Sequence, residues 1–146
     1  MTQIEFHSGA SAKLDYTCRL LRKAAASGKT VLVTGEPDLL DELDRLLWRF
    51  SASSFVAHCA TAAPPATLSA SPVVLAASLE ESALGQDVLV NIGQAMPSGF
   101  DRFPRLIEVV GNQGQDVLAG RARWKGYRDL GYPLTQKSVL ELAGGA

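Results

Sequence analysis

Thr30-Val31-Leu32-Val33-Thr34-Gly35 is the stretch that decides the fold. Its continuous β-branched apolar run suits a strand covered on both faces, the environment of a parallel sheet between layers of helix. Upstream, residues 12–26 predict a helix in which Leu14, Thr17, Cys18, Leu21 and Ala25 share one buried face while Arg19, Arg22 and Lys23 lie on the solvated side. Gly28 supplies its stop. Further upstream, residues 3–7 (QIEFH) alternate apolar and polar as an edge or half-buried strand does. Downstream, Glu36-Pro37-Asp38 turns the chain into a second helix ending near Trp48, with Leu39, Leu43, Leu46 and Leu47 as its apolar stripe. Strand, helix, strand, helix is the opening of an α/β sheet.

The pattern continues outward. Residues 55–58 predict a short strand, and the Ala/Pro/Ser/Thr connector 61–71, with two adjacent prolines, cannot hold a helix. Residues 72–76 and 87–92 are further strands, the second of them central; an acidic turn around Glu80 and Glu81 separates them. A loop over 93–104 leads to a strand at 105–110, then to a helix over 113–130 stopped by Gly131. From residue 133 onward the pattern is weak, so that segment is expected to be less ordered. The chain therefore predicts one α/β domain over residues 1–146, with a mostly parallel sheet.

Composition narrows the function classes. At 146 residues and 47% hydrophobic content the chain can bury one good core. Lys and Arg total 14 against 15 Asp and Glu, so the whole-face positive field of a duplex-DNA binder is missing, and any nucleic-acid role would need a local basic patch. No apolar run approaches the roughly 20 residues that span a bilayer, and residues 1–12 lack a basic region followed by an apolar one. The expectation is a cytoplasmic protein without a membrane partner. Cys18 and Cys59 have neither zinc-site spacing nor the density of a disulfide framework, and are expected to be reduced and packed.

Searches for reactive chemistry return little. Ser27-Gly28-Lys29-Thr30 looks like the end of a phosphate-binding loop, but Lys23 stands where that loop needs glycine, and helix precedes strand where the motif requires the reverse. The first strand-to-helix turn, His7 to Ser11, lacks G-x-G-x-x-G, so no dinucleotide fingerprint accompanies the α/β pattern. His7 and His58 are the only imidazoles, and neither sits in a nucleophile elbow or a metal-ligand spacing. His58 reads as a hydrogen-bonded structural histidine, and Asp41, Glu42 and Asp44 as a solvated helix face. No catalytic residue, metal or cofactor is expected.

Two regions stand out. In Arg121-Ala122-Arg123-Trp124-Lys125-Gly126-Tyr127-Arg128, residues Arg121, Trp124, Lys125 and Arg128 fall at i, i+3, i+4 and i+7, so three cations and an indole share one helical stripe. Arg123 and Tyr127 form a separate i, i+4 pair. The stripe offers charge-assisted hydrogen bonds to carboxylates and an aromatic wall, which suits an acidic peptide ending in a hydrophobic residue. Its plainer reading is solvated charge with Trp124 packed inward. Gly126, unfavourable in mid-helix, is expected to mark the close approach of another backbone. The second region is Leu46-Leu47-Trp48-Arg49-Phe50 with Phe55, where aromatics left over by the leucine stripe either form an interface or cap the edge of the core.

With Leu46-Leu47-Trp48, Ser54-Phe55-Val56-Ala57-His58, Asp87-Val88-Leu89-Val90-Asn91, Ile107-Glu108-Val109-Val110, Arg121 to Arg128 and Gly131-Tyr132-Pro133-Leu134 in this order and spacing, the chain resembles the chi-subunit family of bacterial DNA polymerase III over nearly its whole length. The resemblance implies a Rossmann-like α/β/α domain without nucleotide chemistry, acting as a non-catalytic accessory subunit of the clamp-loader assembly. It implies two partners: the acidic C-terminal tail of single-stranded DNA-binding protein, at Arg121, Trp124, Lys125 and Arg128, and the psi subunit, at a surface including Trp48 and Phe55. Contact with DNA would be indirect. Three positions depart from the family pattern: Trp124 where tyrosine is usual, Ala122 where an acid is common, and Ala57 where proline often precedes the histidine. Trp124 keeps the aromatic wall without a tyrosine's hydroxyl. The competing expectation is a small α/β domain that binds a nucleotide or acidic metabolite at the C-terminal ends of its strands.

Overall fold

A computed structural model describes residues 1–49, 58–60, 73–79 and 86–138. Phe55, the connector 61–71, the turn at Glu80 and Glu81 and the segment after 138 lie outside the described residues. Among the described residues the elements are, in chain order, β1 (Gln3–Ala10), α1 (Lys13–Ala26), β2 (Val31–Thr34), α2 (Pro37–Arg49), β3 (His58–Ala60), β4 (Val73–Leu75), β5 (Val88–Asn91), β6 (Arg105–Gly111), α3 (Gly114–Asp129) and β7 (Leu134–Ser138), with a 3-10 turn at Phe100–Arg102. The seven strands form one sheet in the order β3-β4-β2-β5-β6-β1-β7. Each neighbouring pair is parallel.

Side chains alternate across the sheet because successive Cβ atoms of a strand point to opposite faces. Val31, Val33, Val88, Val90, Ile107 and Val109 pack against Leu21 of α1 and against Leu43 and Leu47 of α2. Leu32, Leu89, Leu106 and Val110 point the other way, into a second core with Phe6, Phe100 and Tyr127 of α3. The result is a Rossmann-like three-layer α/β/α arrangement, with α1 and α2 on one face and α3 on the other. Burial of β2 along its whole length explains its unbroken apolar run.

Of the two alternatives for β1, an edge or a half-buried strand, the second holds: it pairs with β6 on one side and β7 on the other. Its alternation arises because Ile4 and Phe6 enter the second core, while Glu5 and His7 project to the α1 face. The stretch after 133, expected to be less ordered, opens with the edge strand β7, in register with β1 from Ile4 opposite Leu134 to Ser8 opposite Ser138. Thr135, Gln136 and Lys137 are exposed, so β7 is held by backbone pairing and by the polar contacts of Gln136 with Ser8 and Lys137 with Glu5, and leaves almost no apolar signature. Cys18 is a buried free thiol whose pKa burial pushes up to about 12.

Candidate peptide-binding groove

The inner face of α3 is held by a buried carboxylate. Glu108 interrupts the apolar run of β6 and is fully buried. Arg123 donates from Nε to its Oε1 at 2.9 Å, Tyr127 donates its hydroxyl to Oε2 at 2.5 Å, and Asn91 Nδ2 reaches both oxygens at 3.0 and 3.1 Å. Arg123 also donates from Nη1 to the carbonyl of Gln94 at 2.8 Å, tying the helix to the loop after β5. Burial pushes the Glu108 carboxyl up, opposed by Arg123, Tyr127 and Asn91. Burial and the neighbouring carboxylate push the Tyr127 phenol well above its usual range.

Close contacts set the height and rotation of α3. A Cβ built on Gly120 would lie 3.0 Å from both methyls of Val110, so the helix sits directly on β6. A Cβ on Gly126 would lie 2.7 Å from the Met96 methyl. The close neighbour expected at Gly126 is therefore a side chain and not a backbone.

With Arg123 and Tyr127 turned inward, the other stripe turns outward. Arg121, Lys125 and Arg128 are exposed and Trp124 is half-buried. The Trp124 ring meets Phe6 edge-on, with centroids 5.1 Å apart. All four residues line one groove of about 580 Å³, whose floor includes Phe6, Val110 and Val117 and whose far side carries Gln136 of β7. Trp124 thus combines the two readings of the stripe: it packs inward on Phe6 and still lines the groove. No Asp or Glu lines the groove among the described residues. Cations at the rim and apolar surface below match a chain segment bearing carboxylates and one apolar side chain.

The second predicted region lies on the opposite face of the sheet. Trp48, in the last turn of α2, is 59% exposed. Phe55, its expected companion, lies outside the described residues. A third concavity, of about 320 Å³, opens at the C-terminal ends of β2 and β5, where sheets of this type take nucleotides. Its lining includes Glu36 and no Lys or Arg among the described residues. The Glu36 carboxylate accepts the backbone N–H of Gln94 at 3.1 Å, so a negative charge already occupies the mouth of that crevice.

Residues 1–135 match the family model described as DNA polymerase III chi subunit, HolC. This chain belongs to the DNA polymerase III chi subunit family. It is 30% identical over 139 residues to the DNA polymerase III subunit chi of Pseudomonas aeruginosa, covering 92% of this chain and 94% of that protein. It is 26% identical over 126 residues to the subunit chi of Haemophilus influenzae, covering 86% of each. As a chi-family chain it is a replication accessory subunit of the polymerase III assembly, and membership of that assembly implies protein partners. Among the described residues no helix is long and apolar enough to cross a membrane.

Reasoning from sequence missed the supports of the chi groove. Glu108, Asn91, Phe6 and Val110 were not singled out as parts of one site. The signal was present: an acid inside Leu106-Ile107-Glu108-Val109-Val110 requires a buried counter-charge, and Arg123 with Tyr127 is an i, i+4 pair on the next element.

Proposed function

We propose that this chi-family chain is a non-catalytic adaptor in the cytoplasm that tethers DNA polymerase III to protein-coated single-stranded DNA. In this reading the groove at Arg121, Trp124, Lys125 and Arg128 takes the acidic C-terminal tail of single-stranded DNA-binding protein. A separate surface including Trp48 and Phe55 takes the psi subunit. The protein itself acts as one domain over residues 1–146 and meets DNA only through its partners. The observation that carries the tail contact is the convergence of all four side chains on one groove with an apolar floor and, among the described residues, no carboxylate in its lining. The rim cations grip the tail carboxylates while the terminal apolar side chain lies against Trp124.

The competing reading, a nucleotide or acidic metabolite at the C-terminal ends of the strands, is disfavoured by Glu36 in that crevice and by a lining without Lys or Arg among the described residues. Thermal-shift measurements with an acidic peptide ending in an aromatic residue and with nucleotides separate the two, because a native-state ligand raises the midpoint by linkage. The adaptor reading expects the peptide to stabilise the protein and Arg128→Ala to remove that effect. Equal stabilisation of the parent and Arg128→Ala by the peptide overturns the groove assignment.

A further inference from the structure

β7 is the last strand of the sheet beside β1, and its outer side has no neighbouring strand among the described residues. The backbone groups of successive residues in such a strand turn to its two sides in alternation. Ile4 stands opposite Leu134 and donates its N–H to the carbonyl of Pro133 at 3.3 Å. Pro133, Thr135 and Lys137 therefore turn their backbone groups toward β1, and Leu134, Gln136 and Ser138 turn theirs outward. Thr135, Gln136 and Lys137 are exposed and Leu134 and Ser138 half-buried. An open strand without proline, carrying a row of unpaired donors and acceptors, is a template for one more strand.

Two observations say what that strand is. The first is continuity, because Gln136 belongs to both places. Its side chain lines the groove with Trp124 and donates from Nε2 to Ser8 Oγ at 3.0 Å, while its backbone faces the free edge. A peptide leaving the groove across Gln136 comes within one strand spacing, about 4.8 Å, of those unpaired groups. The second is charge. Lys137 Nζ lies 2.8 Å from Glu5 Oε1 and Arg105 pairs with Oε2 of the same carboxylate, so two nearly half-exposed cations share one acid and this border of the sheet keeps a positive charge. An acidic strand meets that charge, whereas a second copy of this chain would set one positive edge against another.

We infer that the acidic tail, its end held in the groove, continues along β7 as an added edge strand of the sheet. The inference rests on the assignment of the groove to that tail and gives it a second mode of recognition. Side-chain contacts hold the end, and backbone pairing to Leu134, Gln136 and Ser138 holds the residues before it. Backbone pairing reads no side chain, so the upstream part of the tail needs carboxylates and an extended conformation but no fixed sequence. The five residues of β7 span about 17 Å at about 3.4 Å each, so about five residues before the tail end take part.

The test uses the isotopically labelled full chain and two peptides: one of about four residues, acidic and ending in phenylalanine, and one of about ten that adds alternating aspartate and threonine before the same end. The longer peptide is expected to bind at least about fivefold tighter and to slow amide exchange at Leu134, Gln136 and Ser138, which the short one leaves unchanged. Thr135 and Lys137, whose amides already face β1, serve as the internal reference. Methylating one alternate set of backbone nitrogens in the added part should remove the gain, and methylating the other set, which faces away from β7, should spare it, with the charge the same in both. Ser138→Pro removes one outward N–H and spares the pairing with β1; it should weaken the long peptide about threefold or more and leave the short one unchanged. Equal affinity of the two peptides, unchanged exchange at the outward amides, methylated sets that act alike, or slow exchange there in the free chain, whether at every dilution or only when concentrated, overturns the added strand. The groove then still stands, since the short peptide binds and Arg128→Ala weakens it. If neither peptide binds the parent chain, groove and added strand fall together.

Discussion

The two faces of α3 carry similar residues and do opposite things. Inward, Arg123 and Tyr127 are buried against Glu108, with their charge and hydroxyl committed. Outward, Arg121, Lys125 and Arg128 are exposed beside Trp124 and open on a groove. Residue type does not decide the role, since an arginine is the anchor on one side and a rim cation on the other. What decides it is the 100° step of the helix, which sends positions 123 and 127 toward the buried Glu108 and positions 121, 124, 125 and 128 away from it. The same geometry links the faces, because the inward pair fixes the rotation at which the outward stripe meets the groove.

The comparison breaks most visibly at Arg123. Arg123→Met leaves Glu108 buried without its counter-charge, and the expected cost is about 3–5 kcal/mol of folding stability, read from urea denaturation. A loss below about 1 kcal/mol would mean that the inward face does not hold the helix. A conservative companion, Glu108→Gln with Arg123→Met, should recover part of the loss, since a neutral amide is cheaper to bury than a charge.

On the outward face the effect moves from stability to affinity. Arg128→Ala or Lys125→Ala should each weaken an acidic tail peptide by about 1–3 kcal/mol by calorimetry, with the denaturation midpoint unchanged. Unchanged affinity in both variants would remove the stripe from the site. Salt sharpens the same point: the ionic part of binding should fade as the Debye length shrinks below about 8 Å. What survives should follow apolar burial at roughly 25 cal/mol per Å², so a peptide without its terminal aromatic residue should bind poorly even at low salt. Equal binding of the two peptides would refute the aromatic wall.

A gentler contrast comes from pH. Burial holds the His7 pKa below its ordinary 6.5, with Glu5 opposing. The unfolded chain therefore takes up that proton first, and the His7 contribution is present above pH 6.5 and lost as pH falls below it. For Glu5, burial acts against the charge, but hydrogen bonds and charges from Lys137 and Arg105 outweigh it and hold the carboxyl down to about 2 against an ordinary 4.5. That contribution is present above 4.5 and lost between 4.5 and about 2. The midpoint of urea unfolding should fall in two stages on acidification, the first absent in His7→Gln. A midpoint flat from neutrality to pH 4.5 would contradict the His7 assignment, and one flat from pH 4.5 to about 2 the Glu5 assignment. The Glu5 stage should be modest, because Arg105 and Lys137 are nearly half-exposed.

The smallest effect is expected on tail binding when the other surface is altered. Trp48→Ala with Phe55→Ala should change tail affinity by no more than about 0.5 kcal/mol, since Trp48 and the stripe lie on helices at opposite faces of the sheet. The same variant should lose co-purification with psi. If it unfolds instead, the rings belong to the core and the psi surface loses its support.

The central strands were legible in the sequence because burial on both faces leaves a mark nothing else imitates: β2 and β5 read directly as Val-Leu-Val runs. β7 was not, since Thr135, Gln136 and Lys137 are exposed, and its backbone pairing with β1, with Lys137 on Glu5 and Gln136 on Ser8, leaves no apolar pattern to read. β1 was recognised as a strand, but its place inside the sheet depends on that same illegible neighbour. The outward stripe could be read from helical period alone. The groove it borders could not, because Phe6, Val110 and Gln136 come from three other strands, and only the tertiary fold brings them to Trp124. Glu108 was overlooked because strand periodicity was read for apolar residues, which hides one acid among five buried positions.

The placing of β1 between β6 and β7 also governs the order in which the molecule can be assembled on the ribosome. Gln3 is synthesised 102 positions before its partner in register, Arg105. At about 5–20 residues per second the first strand waits on the order of 5–20 s before either neighbour exists. Throughout that interval Ile4 and Phe6 have no second core to enter, while β2 and α1 can already meet. Until β6 has left the exit tunnel the apolar side of β1 therefore lacks the strands that flank it, which makes this pairing a late, long-range step of folding.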